Sequence, residues 1–284
     1  MKKKLLVLLL CMLLGVGLAA GCSNGNQTPP PEEPETGTET PVTELETLVV
    51  GATAVPHAEI LEVVKPLLAE EGIDLQIKEF TDYVLLNPAV SDGSVDANFF
   101  QHVPYLEDYN IKNNDTLVWT VMVHVEPMGV YSNTLTDIND IGEGAKVAVP
   151  NDESNCARAL MVLESAGLIQ LDPDAPKYQL TDADIIENPK NLEVQMMDAA
   201  MLPRTLDEVA LCVINSNYAL DAGLNPSSDA IYMEAKDSPY ANVLAVRAAD
   251  VEKDAIKQLG AALNSETVRT YLLENYPDSC IPSF

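Results

Sequence analysis

A strand–helix–strand pattern near the start of the apolar part of the chain constrains the fold more than any other feature of the sequence. Residues 48–51 form a short apolar run, and residues 75–80 alternate between apolar and polar side chains, so each segment is predicted to be a strand. Between them, apolar residues recur at helical spacing from Pro56 until Gly72. A connection that contains a helix joins two parallel strands. The pattern therefore predicts an α/β fold.

Strands and helices continue to alternate along the rest of the chain. Further strands are predicted over residues 117–125, 146–149, 211–214, 230–233 and 243–246, and further helices from near Ser154 to Gly167, from residue 215 to Gly223, and over residues 251–263 and 266–274. Residues 48–284 suffice for two lobes of about 100 to 150 residues each. Two lobes are the predicted organisation.

Polar side chains follow several of the predicted strands. They are Thr53, Tyr83, Asn151 and Asn215. In open α/β sheets, ligands bind at the edge where the carboxyl ends of the strands meet. The sequence thus predicts a ligand site at this edge, without yet indicating its chemistry.

The amino terminus has the pattern of an exported lipoprotein. Three lysines at positions 2–4 precede an uncharged apolar run over residues 5–20, which is typical of a secretory signal peptide and too short to span a bilayer. Small residues at positions 19–21 lead into Cys22, which predicts cleavage after residue 21 and lipidation of Cys22. The alternative is ordinary signal cleavage that leaves Cys22 as a free thiol.

Residues 22–47 are rich in proline, glutamate and threonine and contain few apolar side chains. Such a composition predicts an extended, disordered tether rather than a packed core. The whole chain carries a formal net charge of −28. A surface this acidic repels nucleic acids and anionic lipids, so a nucleic-acid partner is not expected.

Three cysteines remain once the signal peptide and the lipidated residue are set aside. Cys156, Cys212 and Cys280 cannot all pair with one another, and none lies in a CxxC motif. They are interpreted as small buried apolar residues, or as containing at most one disulfide.

The three histidines raise the possibility of a metal site. His57, His102 and His124, together with Glu126, are side chains that zinc or manganese would bind. A transition-metal-binding lipoprotein is therefore one alternative function. The other interpretation of each histidine is a half-buried hydrogen-bond donor to a neighbouring carbonyl, and no metal ligands are assigned.

Catalysis finds no support among the sequence motifs. The chain lacks a G-x-S-x-G elbow, an H-E-x-x-H helix and a glycine-rich phosphate loop, so an enzyme is not expected.

Arg158 is a candidate for binding an anionic group, because it lies in the first turns of a predicted helix behind residues 151–155. A guanidinium beside free helix N–H groups can bind a carboxylate. The alternative is a surface ion pair with Asp152 or Glu153.

Aromatic side chains cluster in one part of a chain that is only 5% aromatic. Phe99, Phe100 and Tyr105 lie close together, and Tyr83 is near them in sequence. Alternation along an extended segment predicts that one phenylalanine faces the core and the other faces the cleft. Aromatic walls would suit an apolar or thioether ligand.

These segments resemble the methionine-binding lipoproteins that serve as substrate-binding subunits of bacterial D/L-methionine ABC importers. The resemblance is carried by residues 51–59, 80–84, 96–106, 124–129, 149–152, 187–191, 202–204, 213–215 and 237–242. It extends over nearly all of residues 48–284. Ordered matches of this density are not produced by chance.

The resemblance implies a two-lobed, periplasmic-binding-protein-like fold of type II, with the ligand in the cleft between the lobes. Lobe 1 would comprise residues 48–126 and be completed by residues 233–284, and lobe 2 would comprise residues 127–232. The chain would cross between the lobes near residues 126–128 and near residues 231–234.

The resemblance also implies roles for particular side chains. Arg158 would hold the ligand carboxylate, and Asn215 and Asn242 would bind the other polar groups of the ligand backbone. The thioether side chain and the ammonium group would be enclosed or oriented by Tyr83, Phe100, His102, Tyr105, His124 and Glu126. A zwitterion needs such a fixed cation, an acidic partner and a dry slot for its side chain.

The implied function is capture of methionine, with the L form and the D form both as candidate ligands, and delivery to the permease and ATPase of an ABC importer. The protein would need no cofactor and would be lipid-anchored on the extracytoplasmic face of the cell membrane. Three alternatives stay open: an importer subunit for another amino acid or a methionine-containing peptide, the metal-binding lipoprotein, and a surface adhesion or signalling lipoprotein without a small ligand.

Overall fold

A computed structural model describes residues 45–236 and 238–284. The predicted signal peptide, the lipidation site Cys22 and nearly all of the predicted tether lie outside the described residues. None of the helices in the described part of the chain is long and apolar enough to cross a membrane.

Helices and strands alternate from the first described residues onward. The first stretch contains β1 (Glu46–Ala52), α1 (Glu59–Glu70), β2 (Ile73–Glu79), α2 (Leu86–Ser91), β3 (Ala97–His102), α3 (Val103–Asn113) and β4 (Leu117–Val125). The middle stretch contains β5 (Gly129–Tyr131), β6 (Lys146–Pro150), α4 (Glu153–Ser165), β7 (Gln170–Leu171), β8 (Ile185–Glu187), β9 (Glu193–Met197), β10 (Leu211–Ile214), α5 (Ser216–Asp221), α6 (Pro226–Asp229) and β11 (Tyr232–Met233). The last stretch contains β12 (Ala241–Arg247), α7 (Asp254–Leu263), α8 (Glu266–Asn275) and β13 (Ile281–Pro282).

These strands form two mixed sheets and a small hairpin. The first sheet has the order β13-β4-β12-β3-β1-β2, with β1 parallel to both β2 and β3 and β12 antiparallel to β3 and β4. The second sheet has the order β11-β5-β10-β6-β9, with β6 parallel to β9 and β10. The chain passes from the first sheet to the second between β4 and β5, and returns between β11 and β12.

Each sheet packs its own helices around its own apolar core. Val50, Ile60 and Leu259 belong to the core between the first sheet and helices α1, α7 and α8. Val147 and Leu160 belong to the core between the second sheet and α4. A third cluster joins aromatic side chains of the first sheet's region to Tyr131 and Tyr218 of the second. This third cluster is where the two halves of the molecule meet.

Most of the predicted elements are present, with small differences at their ends. Strands β4 and β10 have the predicted limits, and β1 and β2 form the predicted parallel pair. Helix α1 begins at Glu59 rather than at Pro56, because residues 54–58 form a separate turn in which Val55 has an extended backbone. The elements that were not predicted are β3, β5, β7, β8, β9, β13, α2, α3 and α6.

The three cysteines of the described residues are free and buried. Cys156 and Cys212 each lie in an apolar cluster, and Cys280 lies in the core of the first sheet. The interpretation of these residues as small buried apolar side chains is confirmed, and the alternative of one disulfide is wrong.

Candidate functional site

A polar cavity lies between the two sheets. Its lining comprises Tyr83, Phe100, Gln101, His102, Tyr105, Glu126, Asn155, Arg158, Asn215, Ser216, Asn217 and Asn242. Eight of the nine side chains singled out from the sequence line it. The ninth, His124, lies behind Glu126 and contacts its carboxylate.

The edge formed by the carboxyl ends of the strands contributes to this cavity only in part. Tyr83 and Asn215 line it, as their positions after β2 and β10 predict. Thr53 instead hydrogen-bonds to His57, 2.7 Å from its Nδ1, and Asn151 donates to Asp198 at the surface. Those two side chains serve the structure around the site.

Arg158 is buried, with 3% of its surface exposed, and its strongest partner is Glu234. Nε lies 3.1 Å from both carboxylate oxygens of Glu234, and Nη2 lies 2.5 Å from Oε2. Nη2 also donates to the carbonyl oxygen of Glu126 at 2.6 Å, and the guanidinium stacks 4.3 Å from the ring centre of Tyr240. The alternative of a surface ion pair with Asp152 or Glu153 is wrong.

The guanidinium retains one nitrogen for a ligand. Among the described residues, Nη1 of Arg158 has no hydrogen-bond partner, whereas Nε and Nη2 are fully used. The expectation of free N–H groups at the start of α4 is only partly correct, because the Asp152 side chain already accepts a hydrogen bond from the Asn155 N–H at 2.9 Å. Nη1 is therefore the main cationic donor that this side of the cavity offers.

Glu126 supplies the negative charge of the polar lining. Its Oε1 lies 2.7 Å from Nε2 of His124, 3.2 Å from Nε2 of His57 and 3.4 Å from Nδ2 of Asn242. Burial raises the pKa of the Glu126 carboxyl, but nearby His57, His124 and Arg158 outweigh burial and leave that pKa below its usual range. Glu126 is consequently an anion at neutral pH.

The geometry of this cluster is that of hydrogen bonding rather than metal coordination. His57, His124 and Glu126 bring three ligand atoms within 4.8 Å of one another. Two ligands of one tetrahedral zinc ion, each about 2.0–2.1 Å from it, would lie about 3.3 Å or more apart. The 2.7 Å between His124 Nε2 and Glu126 Oε1 is a hydrogen-bond distance. His102, the other histidine of the metal alternative, hydrogen-bonds elsewhere.

His102 holds part of the polar lining in a fixed arrangement. Its Nδ1 accepts a hydrogen bond from the backbone N–H of Tyr105, so the neutral ring carries its proton on Nε2 and donates to Asn155 Oδ1 at 3.1 Å. Asn215 Nδ2 donates to the same oxygen at 2.8 Å. The Oδ1 atom of Asn215 is buried and has no partner among the described residues, so it is available to accept from a ligand.

Aromatic rings form the remaining wall. The ring of Tyr83 lies 5.4 Å from that of Phe100, 5.8 Å from that of Tyr105 and 4.6 Å from that of Tyr218, measured between centroids. Phe99 points to the opposite face and packs in the core of the first sheet. The prediction that Phe99 and Phe100 face opposite sides is confirmed. The cavity thus combines one cation, one anion and an aromatic slot.

Comparison of the chain with known protein families identifies one that matches most of its length. The NlpA lipoprotein family matches residues 48–284, which is most of the chain. The chain belongs to the NlpA lipoprotein family. The resemblance stated from the sequence motifs is thereby confirmed.

Known proteins that are similar to this NlpA-family chain include one named relative and two solved structures. The methionine-binding lipoprotein MetQ of Bacillus subtilis is 38% identical, with 99% of each chain covered. A periplasmic substrate-binding protein of an ABC transporter from Coxiella burnetii is 44% identical, with a TM-score of 0.80 over 83% of this chain and 100% of that chain. A nutrient-binding protein from Burkholderia cenocepacia, bound to methionine, is 41% identical, with a TM-score of 0.81 over 84% of this chain and 100% of that chain.

Membership confirms the expected fold and class. The NlpA-family chain has the α/β architecture of periplasmic substrate-binding proteins, and it is a solute-binding membrane lipoprotein rather than an enzyme. The buried thiols are consistent with this class, because burial raises the pKa of Cys156 and of Cys212 to about 12 and keeps both protonated.

Five side chains at or near the site were not predicted from the sequence. Gln101, Asn155, Ser216 and Asn217 line the cavity, and Glu234 holds Arg158. Asn155 could have been predicted from helical spacing, because it precedes Arg158 by three residues on the same helix and so lies on the same face. No local pattern could have predicted the role of Glu234, since its partner Arg158 lies 76 residues away in sequence.

Buried histidines should make the stability of this NlpA-family protein depend on pH. Burial lowers the pKa of His57 to about 4 and that of His102 to about 3, from about 6.5 in an unfolded chain. Below pH 6.5 the unfolded chain therefore takes up protons that the folded protein does not, and stability falls as the pH falls towards 4. The limiting slope is about 1.4 kcal/mol per pH unit for each histidine.

Calorimetric unfolding of ligand-free protein between pH 7.5 and pH 5.0 measures this effect. The His102→Gln variant keeps a side-chain donor but cannot titrate, so its stability should decline less steeply than that of the parent. Equal slopes for parent and variant would show that His102 is not a neutral buried histidine.

Proposed function

We propose that the protein captures methionine outside the cytoplasm and delivers it to the permease and ATPase of an ABC importer. The observation that carries the proposal is the presence of both Arg158 and Glu126 in the lining of one cavity that also has an aromatic wall. A zwitterionic amino acid with an apolar side chain complements all three features. The methionine bound to the Burkholderia cenocepacia relative supports the choice of side chain.

Each part of methionine has a partner in this proposal. The carboxylate binds Arg158 Nη1, since charge-assisted hydrogen bonds are the strongest that such a cavity can offer. The ammonium binds Glu126 and the free Oδ1 of Asn215, with Asn242 beside them. The thioether lies against Tyr83, Phe100 and Tyr105, because sulfur makes favourable contacts with ring edges.

Residues from both sides enclose the cavity, which supports a closing motion. The Tyr83 hydroxyl donates to Asn217 Oδ1, His102 donates to Asn155 Oδ1, and Tyr218 donates to the carbonyl of Thr81 at 3.4 Å. Each of these contacts joins an element of the first sheet's region to one of the second. Closure would remove the ligand from water and strengthen its electrostatic contacts, and the importer would bind the closed shape.

The lobes and the anchor are also part of the proposal. Residues 48–126 and 233–284 form lobe 1 and residues 127–232 form lobe 2, in agreement with the two passages of the chain between the sheets. Lipidated Cys22 would hold the protein on the extracytoplasmic face of the cell membrane, with the following residues as tether. Both L- and D-methionine are candidate ligands.

A thermal-shift panel tests the function. The protein is unfolded and refolded to remove carried-over ligand, then heated with L-methionine, D-methionine, other amino acids, methionine-containing dipeptides, zinc or manganese. A ligand present at 100 times its Kd stabilises the folded state by about 2.7 kcal/mol. We expect the largest shift with methionine. A shift with a metal ion alone, or with another amino acid alone, would contradict the proposal.

A further inference from the structure

Glu234 lies outside the cavity lining and is nevertheless the residue that most constrains Arg158. It belongs to the segment that returns from the second sheet to the first, directly after β11. Its side chain is 14% exposed and that of Arg158 is 4% exposed, so the ion pair is largely shielded from water. The pair therefore holds its geometry more firmly than a surface pair would.

The Glu234 carboxylate is fixed from several directions. Besides Arg158, it accepts hydrogen bonds from the backbone N–H of Met128 at 2.9 Å and from the Ser238 hydroxyl at 3.0 Å. The backbone N–H of Glu234 in turn donates to the carbonyl of Met128 at 2.9 Å. Met128 lies on the other segment that joins the sheets. Glu234 thus ties the two connecting segments together and attaches Arg158 to both.

Helices of the second sheet hold the same connecting segments. Arg158 extends from α4 to the carbonyl of Glu126, and Ser216 at the start of α5 donates to the carbonyl of Pro127 at 2.5 Å. Arg158 and the connecting segments form one hydrogen-bonded block with α4 and α5. The hydrogen bonds that hold Arg158 in that block come from the connecting segments rather than from the strands of the first sheet.

The charges explain why position matters here. The Glu234 carboxylate carries a charge opposite to that of Arg158 and contacts it directly, so the pair attracts a distant carboxylate less than a lone guanidinium would. Binding then depends on the direction of the remaining Nη1 donors. Because a guanidinium carries its donors in a rigid fork, fixing the Nε and Nη2 edge fixes Nη1 as well.

We propose that Glu234 is a positioning residue, which holds Arg158 so that Nη1 faces the carboxylate of the bound amino acid. The inference rests on the proposed function, since it assumes a ligand with a carboxylate. It goes further in making the recognition of that group depend on Glu234, a residue that the ligand itself does not touch. It also locates the carboxylate end of the site on the connecting segments themselves.

The test compares two ligands that differ only at the carboxylate. Calorimetric titrations with L-methionine and with methioninamide are made on the parent, Glu234→Ala, Glu234→Gln and, as a control, Glu208→Ala, which changes an exposed glutamate of the second sheet's region. We expect Glu234→Ala to lose at least tenfold in affinity for methionine and less than threefold for methioninamide. Glu234→Gln, which retains one acceptor oxygen, should lose about threefold for methionine, and Glu208→Ala should match the parent.

Other outcomes overturn the inference. Equal losses for both ligands would indicate a purely structural role, and unchanged or tighter methionine binding would indicate that Glu234 competes with the ligand for Arg158. If Glu234→Ala does not fold, as judged by its unfolding transition without ligand, the ratio of methionine to methioninamide affinity in Glu234→Gln tests the inference in the same way. If the parent binds methionine but the ratio of the affinities for methionine and methioninamide is the same in the Glu234 variants as in the parent, this inference alone is overturned. If the parent does not bind methionine, the proposed function is overturned and this inference with it.

Discussion

Replacing Arg158 by alanine should reduce the affinity for methionine by about 100-fold or more. The change removes the only cation that lines the described cavity, and loss of one partner from a buried, hydrogen-bonded charge pair typically costs 2–5 kcal/mol or more. Isothermal titration of ligand-stripped protein measures the loss. The same change leaves the Glu234 carboxylate without its main partner, so the free energy of unfolding should also fall, by about 3 kcal/mol.

Arg204→Ala is the matched control, because Arg204 is an exposed arginine of the second sheet's region. It should leave both affinity and stability within the error of the parent. Methionine binding by Arg158→Ala within threefold of the parent would show that the carboxylate is held elsewhere in the molecule.

Replacing Glu126 by glutamine should have an effect of similar size on the other end of the ligand. Glutamine is nearly isosteric but carries no charge, and it would direct an amide instead of a carboxylate oxygen at the ammonium group. We expect about 100-fold weaker methionine binding. Binding of 4-(methylthio)butanoate, which has the same carboxylate and thioether at the same spacing but no ammonium, should change by less than threefold. The ratio of the two affinities separates loss of the ammonium contact from general damage to the cavity.

Glu79→Gln, an exposed position at the end of β2, serves as the control for this substitution. Equal losses for methionine and for 4-(methylthio)butanoate in Glu126→Gln would contradict the assignment of Glu126 to the ammonium. They would indicate instead that the carboxylate mainly supports His57 and His124 behind the cavity.

The sequence was sufficient to predict the fold where apolar spacing was regular. Strands β4 and β10 and helix α4 carry clear apolar patterns, and the structure has them close to the predicted limits. Strand β3 was missed because all six of its residues are buried, so no alternation between apolar and polar side chains marks it. Its Asn98 and Gln101 are satisfied by an internal network with Asn87, which no local pattern reveals.

The site was predictable as a set of residues but not as an electrostatic arrangement. Motifs brought together eight of the side chains that line the cavity. They could not show that Arg158 is already paired with Glu234, or that two histidines flank Glu126, because those contacts join residues that are distant in the chain. The charge balance of a buried site follows from tertiary contacts, and a linear pattern carries little information about them.

The central claim is that this cavity binds methionine through Arg158 and Glu126. Its most direct test is calorimetric titration of ligand-stripped parent protein with L-methionine, repeated on Arg158→Ala and Glu126→Gln. We predict saturable one-to-one binding by the parent and about 100-fold weaker binding by each variant. Absence of binding by the refolded parent, or equal affinity in the parent and both variants, would contradict it.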